Sequence, residues 1–159
     1  MSLQQELEMK SPIQPLLRET VLNILHTNDQ YVIYFSRLFR LYGLTLPQYN
    51  ILDILQNEGA PLTVLEIANR TIAVAPSVTG IIDRLEREGF VTRERSIKDR
   101  RVIYVTLTEK GQTTFLAINE PLKRLEKQTS RYLTEAELKE LIRLLEKTRG
   151  ILLAEQEDD

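Results

Sequence analysis

The chain of 159 residues has no cysteine, no tryptophan and one histidine, His26. Without cysteine there is no disulfide, no thiolate zinc site and no thiol redox sensor. One histidine leaves too few ligands for a structural zinc site, and carboxylates alone would hold only a hard cation, weakly. No run approaches the ~20 apolar residues of a membrane span. The start, MSLQQELEMK, lacks a basic-then-apolar signal pattern, so a cytoplasmic protein is expected. There is no glycine-rich phosphate loop and no pairing of catalytic side chains, so the sequence reads as a non-enzyme with no cofactor. What remains is 42% hydrophobic and 28% charged, the balance of a soluble globular protein of one domain rather than of a disordered chain.

The net charge of −2 does not by itself point to nucleic acid. Its distribution says more. Arg84, Arg87, Arg93, Arg95, Lys98, Arg100 and Arg101 face only Glu86, Glu88, Glu94 and Asp99 within the same stretch. A small basic region on an acidic body is the footprint of a localised phosphate-binding surface, although a solvated basic face has the same composition.

Periodicity divides the chain. Residues 13–42 read as helix, with Asn28-Asp29 as the place where it would break; Tyr31, Tyr34, Phe35, Leu38, Leu41 and Tyr42 form one apolar face. Thr45-Leu-Pro-Gln48 and Thr63-Val-Leu-Glu66 are capping boxes opening two short helices. A third starts at Pro76 and ends at Gly89, with Val78, Ile81, Ile82 and Leu85 on its apolar side and Ser77, Thr79, Gly80, Asp83, Arg84 and Arg87 opposite. The period then changes to two: Val91–Arg95 and Val102–Leu107 read as strands joined by the charged tip Ser96–Arg100. Thr108 opens a long helix that Pro121 should kink or break. Thr134-Glu-Ala-Glu137 opens the last, with a stripe through Leu138, Leu141, Ile142 and Leu145 to about Leu153 and a frayed acidic tail. The expected fold is mainly α with a small β-hairpin: a winged helix-turn-helix core over 45–111, flanked by helices 13–42 and 113–153. Those flanks carry apolar stripes that the core does not need, and their use would be burial against a second copy.

The strings LPQYNILDIL, TVLEIANR and SVTGIIDRLEREGFVTRERSIKDRRVIYVTLTEKG resemble the MarR family of bacterial transcriptional regulators. The sharpest part is the spacing of Leu85-Glu86, Gly89-Phe90-Val91, Asp99-Arg100-Arg101 and Leu107 to Gly111. The resemblance implies a homodimer joined through its terminal helices and bound to double-stranded DNA. Such a protein is in most cases a repressor, and many are released by a small aromatic ligand. It makes 76–88 the recognition helix, the hairpin tip the wing, Arg101 the minor-groove reader and Asp99 the residue that orients Arg101 by an ion pair. Gly80 departs from the family, which often has a basic residue there: either one DNA contact is missing or the backbone comes closer.

The candidate DNA-binding residues are therefore Thr63, Pro76, Ser77, Thr79, Gly80, Arg84, Lys98, Asp99, Arg100 and Arg101. Ser77 and Thr79 could serve only to start the helix, but the N-terminal half of a recognition helix is what meets base edges. Arg84 and Arg87 could hold phosphate or pair with Glu88 or Glu86. Thr63 caps its helix, whose N-terminus can also take a phosphate. Adjacent arginines at a hairpin tip have no packing explanation and suit a narrow minor groove. A winged-helix module for binding another protein is the alternative, and it gives those arginines no role. His26 reads as an ordinary half-exposed histidine. The aromatics Tyr31, Tyr34, Phe35 and Tyr49 read first as core and dimer packing, and second as the wall of a ligand pocket.

Overall fold

The computed structural model describes residues 2–10, 13–71, 77–97, 99 and 101–157, excepting the side chains of 153–157. Backbone contacts divide the chain into two compact units, Met1–Ile118 and Asn119–Asp159. The first contains α1 (Leu3–Glu6), α2 (Leu16–Arg40), α3 (Leu46–Glu58), β1 (Leu62–Thr63), α4 (Val64–Arg70), α5 (Val78–Arg87), β2 (Val91–Arg95) and β3 (Ile103–Leu107). Helix α6 (Glu109–Thr129) begins in the first unit and ends in the second, which also holds α7 (Glu135–Glu157).

Local chemistry sets the helix starts. Thr45 Oγ1 accepts from the Gln48 N–H at 3.4 Å while Gln48 Oε1 accepts from the Thr45 N–H at 2.9 Å. Thr63 and Glu66 repeat the arrangement at 3.2 and 2.7 Å, and Thr134 and Glu137 at 3.3 and 2.7 Å. Each box satisfies two backbone donors that a helix start leaves without partners. The same bonds hold the Glu66 and Glu137 carboxyls below their ordinary pKa, because they stabilise the charged form.

Strands β1, β3 and β2 form an antiparallel sheet in that order. Leu62 stands opposite Val105, and Arg93 opposite Val105 on the other side. β1 is too short for periodicity to reveal it, so the third strand is an addition to the expected hairpin. Below the sheet, Ile51, Leu52 and Leu55 of α3 are buried, as are Ile67 of α4, Ile82 and Leu85 of α5, and Val91 and Val105 of the strands. A stack of rings extends this core: Tyr31 to Phe35 at 5.8 Å, Phe35 to Phe39 at 5.7 Å, Phe39 to Tyr49 at 4.1 Å and Tyr49 to Phe115 at 5.7 Å.

Several expectations need correction. α2 runs without a break through Asn28 and Asp29. Both side chains are exposed, and a propensity cost of roughly half a kcal/mol each does not stop a long helix. α5 opens at Val78 with Ser77 as its cap, two residues later than expected. α7 continues through Glu157, since no proline or glycine follows Gly150 and glutamates favour helix. α6 is continuous through Pro121. Proline cannot donate to the carbonyl four residues back, Ala117. The Tyr42 hydroxyl donates to that carbonyl instead, at 3.4 Å.

Candidate nucleic-acid interface

α5 is held from beneath by Ile82 and Leu85, which are fully buried. This phase turns Thr79, Asp83, Arg84 and Arg87 outward, all exposed. Among the described residues neither Arg84 nor Arg87 enters an ion pair, so the surface pairing with Glu86 or Glu88 does not form. Ser77 Oγ accepts from the Gly80 N–H at 3.1 Å, so this hydroxyl caps the helix. Its backbone φ is 75°, a left-handed conformation that costs a non-glycine residue about 1 kcal/mol or more. A Cβ on Gly80 would lie 3.7 Å from Ser77 Oγ, an ordinary contact, so packing within the chain does not require glycine there. The helix leaves through Gly89 at φ 76°, which turns the chain sharply into β2.

The wing turn is tied to itself. Ser96 N–H donates to the Val102 carbonyl at 3.0 Å, and Val102 N–H donates to the Asp99 carbonyl at 2.9 Å. Asp99 Oδ1 accepts from the Arg101 backbone N–H at 2.9 Å. The carboxylate therefore fixes Arg101 through its main chain, and no Asp99–Arg101 side-chain ion pair occurs among the described residues. Ile97 at the tip is fully exposed. Pro76, Lys98 and Arg100 lie outside the described residues.

The wing root is anchored densely. Thr108 Oγ1 donates to the Gly89 carbonyl at 2.7 Å and accepts from the Gly111 N–H at 3.1 Å. Lys110 Nζ donates to the Glu88 carbonyl at 2.5 Å and sits 4.2 Å above the Phe90 ring. A Cβ on Gly111 would come within 2.1 Å of the Phe90 carbonyl oxygen, so only glycine lets α6 approach the turn between α5 and β2. On the far side, Gln48 Nε2 donates to Glu88 Oε2 at 3.0 Å and ties α3 to the end of α5.

Arg93 is the side chain that composition misassigns. It counts toward the basic stretch, yet it is turned inward. Its Nη2 lies 2.6 Å from Asp83 Oδ1 and its Nη1 donates to Glu86 Oε2 at 2.9 Å. The available signal was phase: Arg93 shares a strand face with buried Val91, and Asp83 and Glu86 are one helical turn apart. Thr63, by contrast, does what its motif says and caps α4.

Of the four aromatics of the pocket reading, Tyr31, Phe35 and Tyr49 belong to the stacked column, and Tyr34 meets Phe35 edge-on at 5.6 Å. Tyr31 and Tyr34 are exposed and Phe35 is half-buried. Tyr49 has Phe39 on one side and Phe115 on the other, so both ring faces are committed to the core. Burial, with Asp53 nearby, pushes the Tyr49 phenol up to about 12. His26 Nε2 meets Glu6 Oε2 at 3.1 Å on the surface. A separate open groove of about 230 Å³ lies among Leu55, Gln56, Pro61, Thr106, Leu107 and Gln112. Among the described residues no helix is long and apolar enough to cross a membrane.

The family model described as MarR family matches residues 44–103, from the start of α3 into the wing. The homoprotocatechuate degradative operon repressor of Escherichia coli is 30% identical over 135 residues, covering 85% of this chain and 90% of its own length. The crystal structure of the transcriptional regulator PA4135 superposes with a TM-score of 0.68 at 30% identity, over 89% of this chain and 98% of that one. The organohalide-sensing regulator RdhR-CbdbA1625, in its 2,4-dichlorophenol-bound form, superposes with a TM-score of 0.76 at 24% identity, over 89% and 86%. At that identity the likeness is one of fold.

Proposed function

The chain belongs to the MarR family and is a DNA-binding transcriptional regulator, and from that premise we propose that it is a homodimeric repressor whose α5 reads the major groove while its wing enters the minor groove. One observation carries the reading. α5 presents Thr79, Arg84 and Arg87 outward with no side-chain partner among the described residues, and in the wing turn Asp99 holds the Arg101 main chain. A recognition helix followed by an arginine-bearing hairpin is an arrangement that can engage the major groove and the adjacent minor groove. The DNA-contacting set is Thr63, Ser77, Thr79, Gly80, Arg84 and Arg101 with Asp99 in support, extended by Pro76, Lys98 and Arg100 from the sequence.

Binding should be measured on a duplex that the wild-type protein selects from a random pool. Arg101→Ala should lose about 1–3 kcal/mol of binding. Asp99→Ala should also weaken binding, although it removes a negative charge from the vicinity of phosphate. Simple charge repulsion predicts the opposite sign. An Asp99→Ala protein that binds as well as wild type would refute the wing assignment.

The dimer is supported by apolar side chains left in water. Leu16, Leu17 and Leu25 of α2 are exposed, as are Leu141, Ile142 and Ile151 of α7. Two recognition helices related by two-fold symmetry would select a pseudo-palindrome with half-sites ~10 bp apart. A monomeric mass at micromolar concentration in light scattering would refute the dimer. Repression and release by an aromatic effector rest on the relatives: one represses an aromatic-degradation operon and another holds a chlorophenol. The candidate residues from the sequence are Tyr31, Tyr34, Phe35 and Tyr49, and titration with homoprotocatechuate or a chlorophenol, followed by DNA release, tests the point.

A further inference from the structure

Arg93 sits at the middle of β2, paired in register with Val105, and its guanidinium bridges Asp83 and Glu86 of α5 at 2.6 and 2.9 Å. The Arg93 side chain is only 21% exposed, while its partners Asp83 and Glu86 are 57% and 39% exposed, so the bridge lies at the rim with its guanidinium half-buried. The planar fork of arginine can meet two carboxylates one helical turn apart; lysine, a single point charge, cannot hold both in the same geometry.

The location gives the bridge its meaning. A two-stranded wing is a lever. Its root is fixed where Phe90, Thr108 and Gly111 meet. From Phe90 to the tip the strand spans ~20 Å at ~3.3 Å per residue. A tilt of ~10° about the root would carry the tip ~3.5 Å sideways, more than a groove contact tolerates. β1 already ties β3 down at Val105 and Tyr104; the Arg93 bridge, at the same level, is what ties the outer strand β2 to α5. It also neutralises two carboxylates on that helix, one of which, Asp83, faces outward with Thr79.

We propose that Arg93 is a positioning residue for DNA recognition: by bridging Asp83 and Glu86 it sets the angle of the wing on the recognition helix, so that both grooves are engaged at once. The proposal rests on the DNA-binding reading above, and it separates from plain electrostatics by sign. Asp83→Asn with Glu86→Gln removes two negative charges near phosphate. Charge alone predicts tighter binding. The bridge predicts the reverse: weaker binding to the selected duplex, by about tenfold.

Two measurements test it. The absence of native cysteine lets spin labels be placed at Ile97→Cys on the wing tip and Asn69→Cys on α4, both exposed. The tip-to-helix distance distribution, measured without DNA, should be narrow in the parent and broad in the Asp83→Asn/Glu86→Gln background, while the thermal midpoint stays within a few degrees. On the duplex selected by the wild type, the double variant should keep guanine N7 protection in the major groove. It should lose hydroxyl-radical protection at the flanking minor groove. An unchanged distance distribution overturns the positioning role whatever DNA does. Equal or tighter binding with both protections intact overturns it while leaving the DNA-binding reading in place. A wild-type protein that protects no duplex overturns that reading and, with it, the role in recognition.

Discussion

The stretch from Phe39 to Ile118 and the helices that flank it are made of similar residues but solve opposite problems. The first keeps its apolar side chains: Ile51, Leu52, Ile67, Ile82, Leu85, Val105 and Ile118 are all sealed. α2, 25 residues long, buries only Phe39 near its end, and α7 has no buried side chain among its described residues. Isolated amphipathic helices owe most of their stability to packing of the apolar face. The central region is therefore complete within one chain, whereas the flanks leave apolar faces in water, which the proposed dimer would cover.

The contrast can be broken most forcefully at Gly111. Gly111→Ala pushes a Cβ into the Phe90 carbonyl and should cost about 3 kcal/mol or more, read as a fall in the urea midpoint and a loss of all DNA binding. A fully stable variant would mean that the wing root is looser than its hydrogen bonds indicate. In the flanks, Leu25→Glu or Ile142→Glu should each cost about 2 kcal/mol of association. Sedimentation should then show dissociation, while the near-ultraviolet dichroism of the core is unchanged. If either variant unfolds the core instead, the two regions are one cooperative unit.

Smaller effects sharpen the picture. Gly80→Ala has room for its methyl group and should stabilise the chain by about 1 kcal/mol. If its DNA affinity also falls sharply, the missing side chain serves close approach of the backbone to DNA. The smallest effect concerns pH. Burial raises the Asp53 carboxyl above its ordinary pKa, opposed by a hydrogen bond from Asn57. Just above the ordinary carboxylate range the folded chain retains a proton that the unfolded chain has released. Stability therefore declines as pH rises through that window. Asp53→Asn should flatten this decline and be slightly more stable at neutral pH than at acid pH relative to wild type.

Much of this was legible because it is local. The capping boxes at Thr45, Thr63 and Thr134 are spelled within four residues, and α5 through β3 changes period where the structure changes element. What was not legible depends on separation along the chain. Arg93 meets residues seven and ten positions earlier only because Gly89 folds β2 back beside α5. β1 exists through its pairing with β3, some forty residues on. The aromatics of α2 look like a pocket wall as a stripe, and only the approach of Tyr49 and Phe115 carries their stack into the core. Composition counted Arg93 as a DNA-facing charge because counting ignores direction.

The column of rings has an optical consequence. With no tryptophan in the chain, light absorbed near 280 nm is absorbed by tyrosine. Tyr49 is the one tyrosine stacked between two phenylalanines, and a chromophore held rigidly in an asymmetric setting gives the strongest near-ultraviolet dichroism. The protein thus carries a native spectroscopic gauge at the junction of α2, α3 and α6. Any ligand or partner that shifts those helices should register there without a label, and Tyr49→Phe supplies the blank.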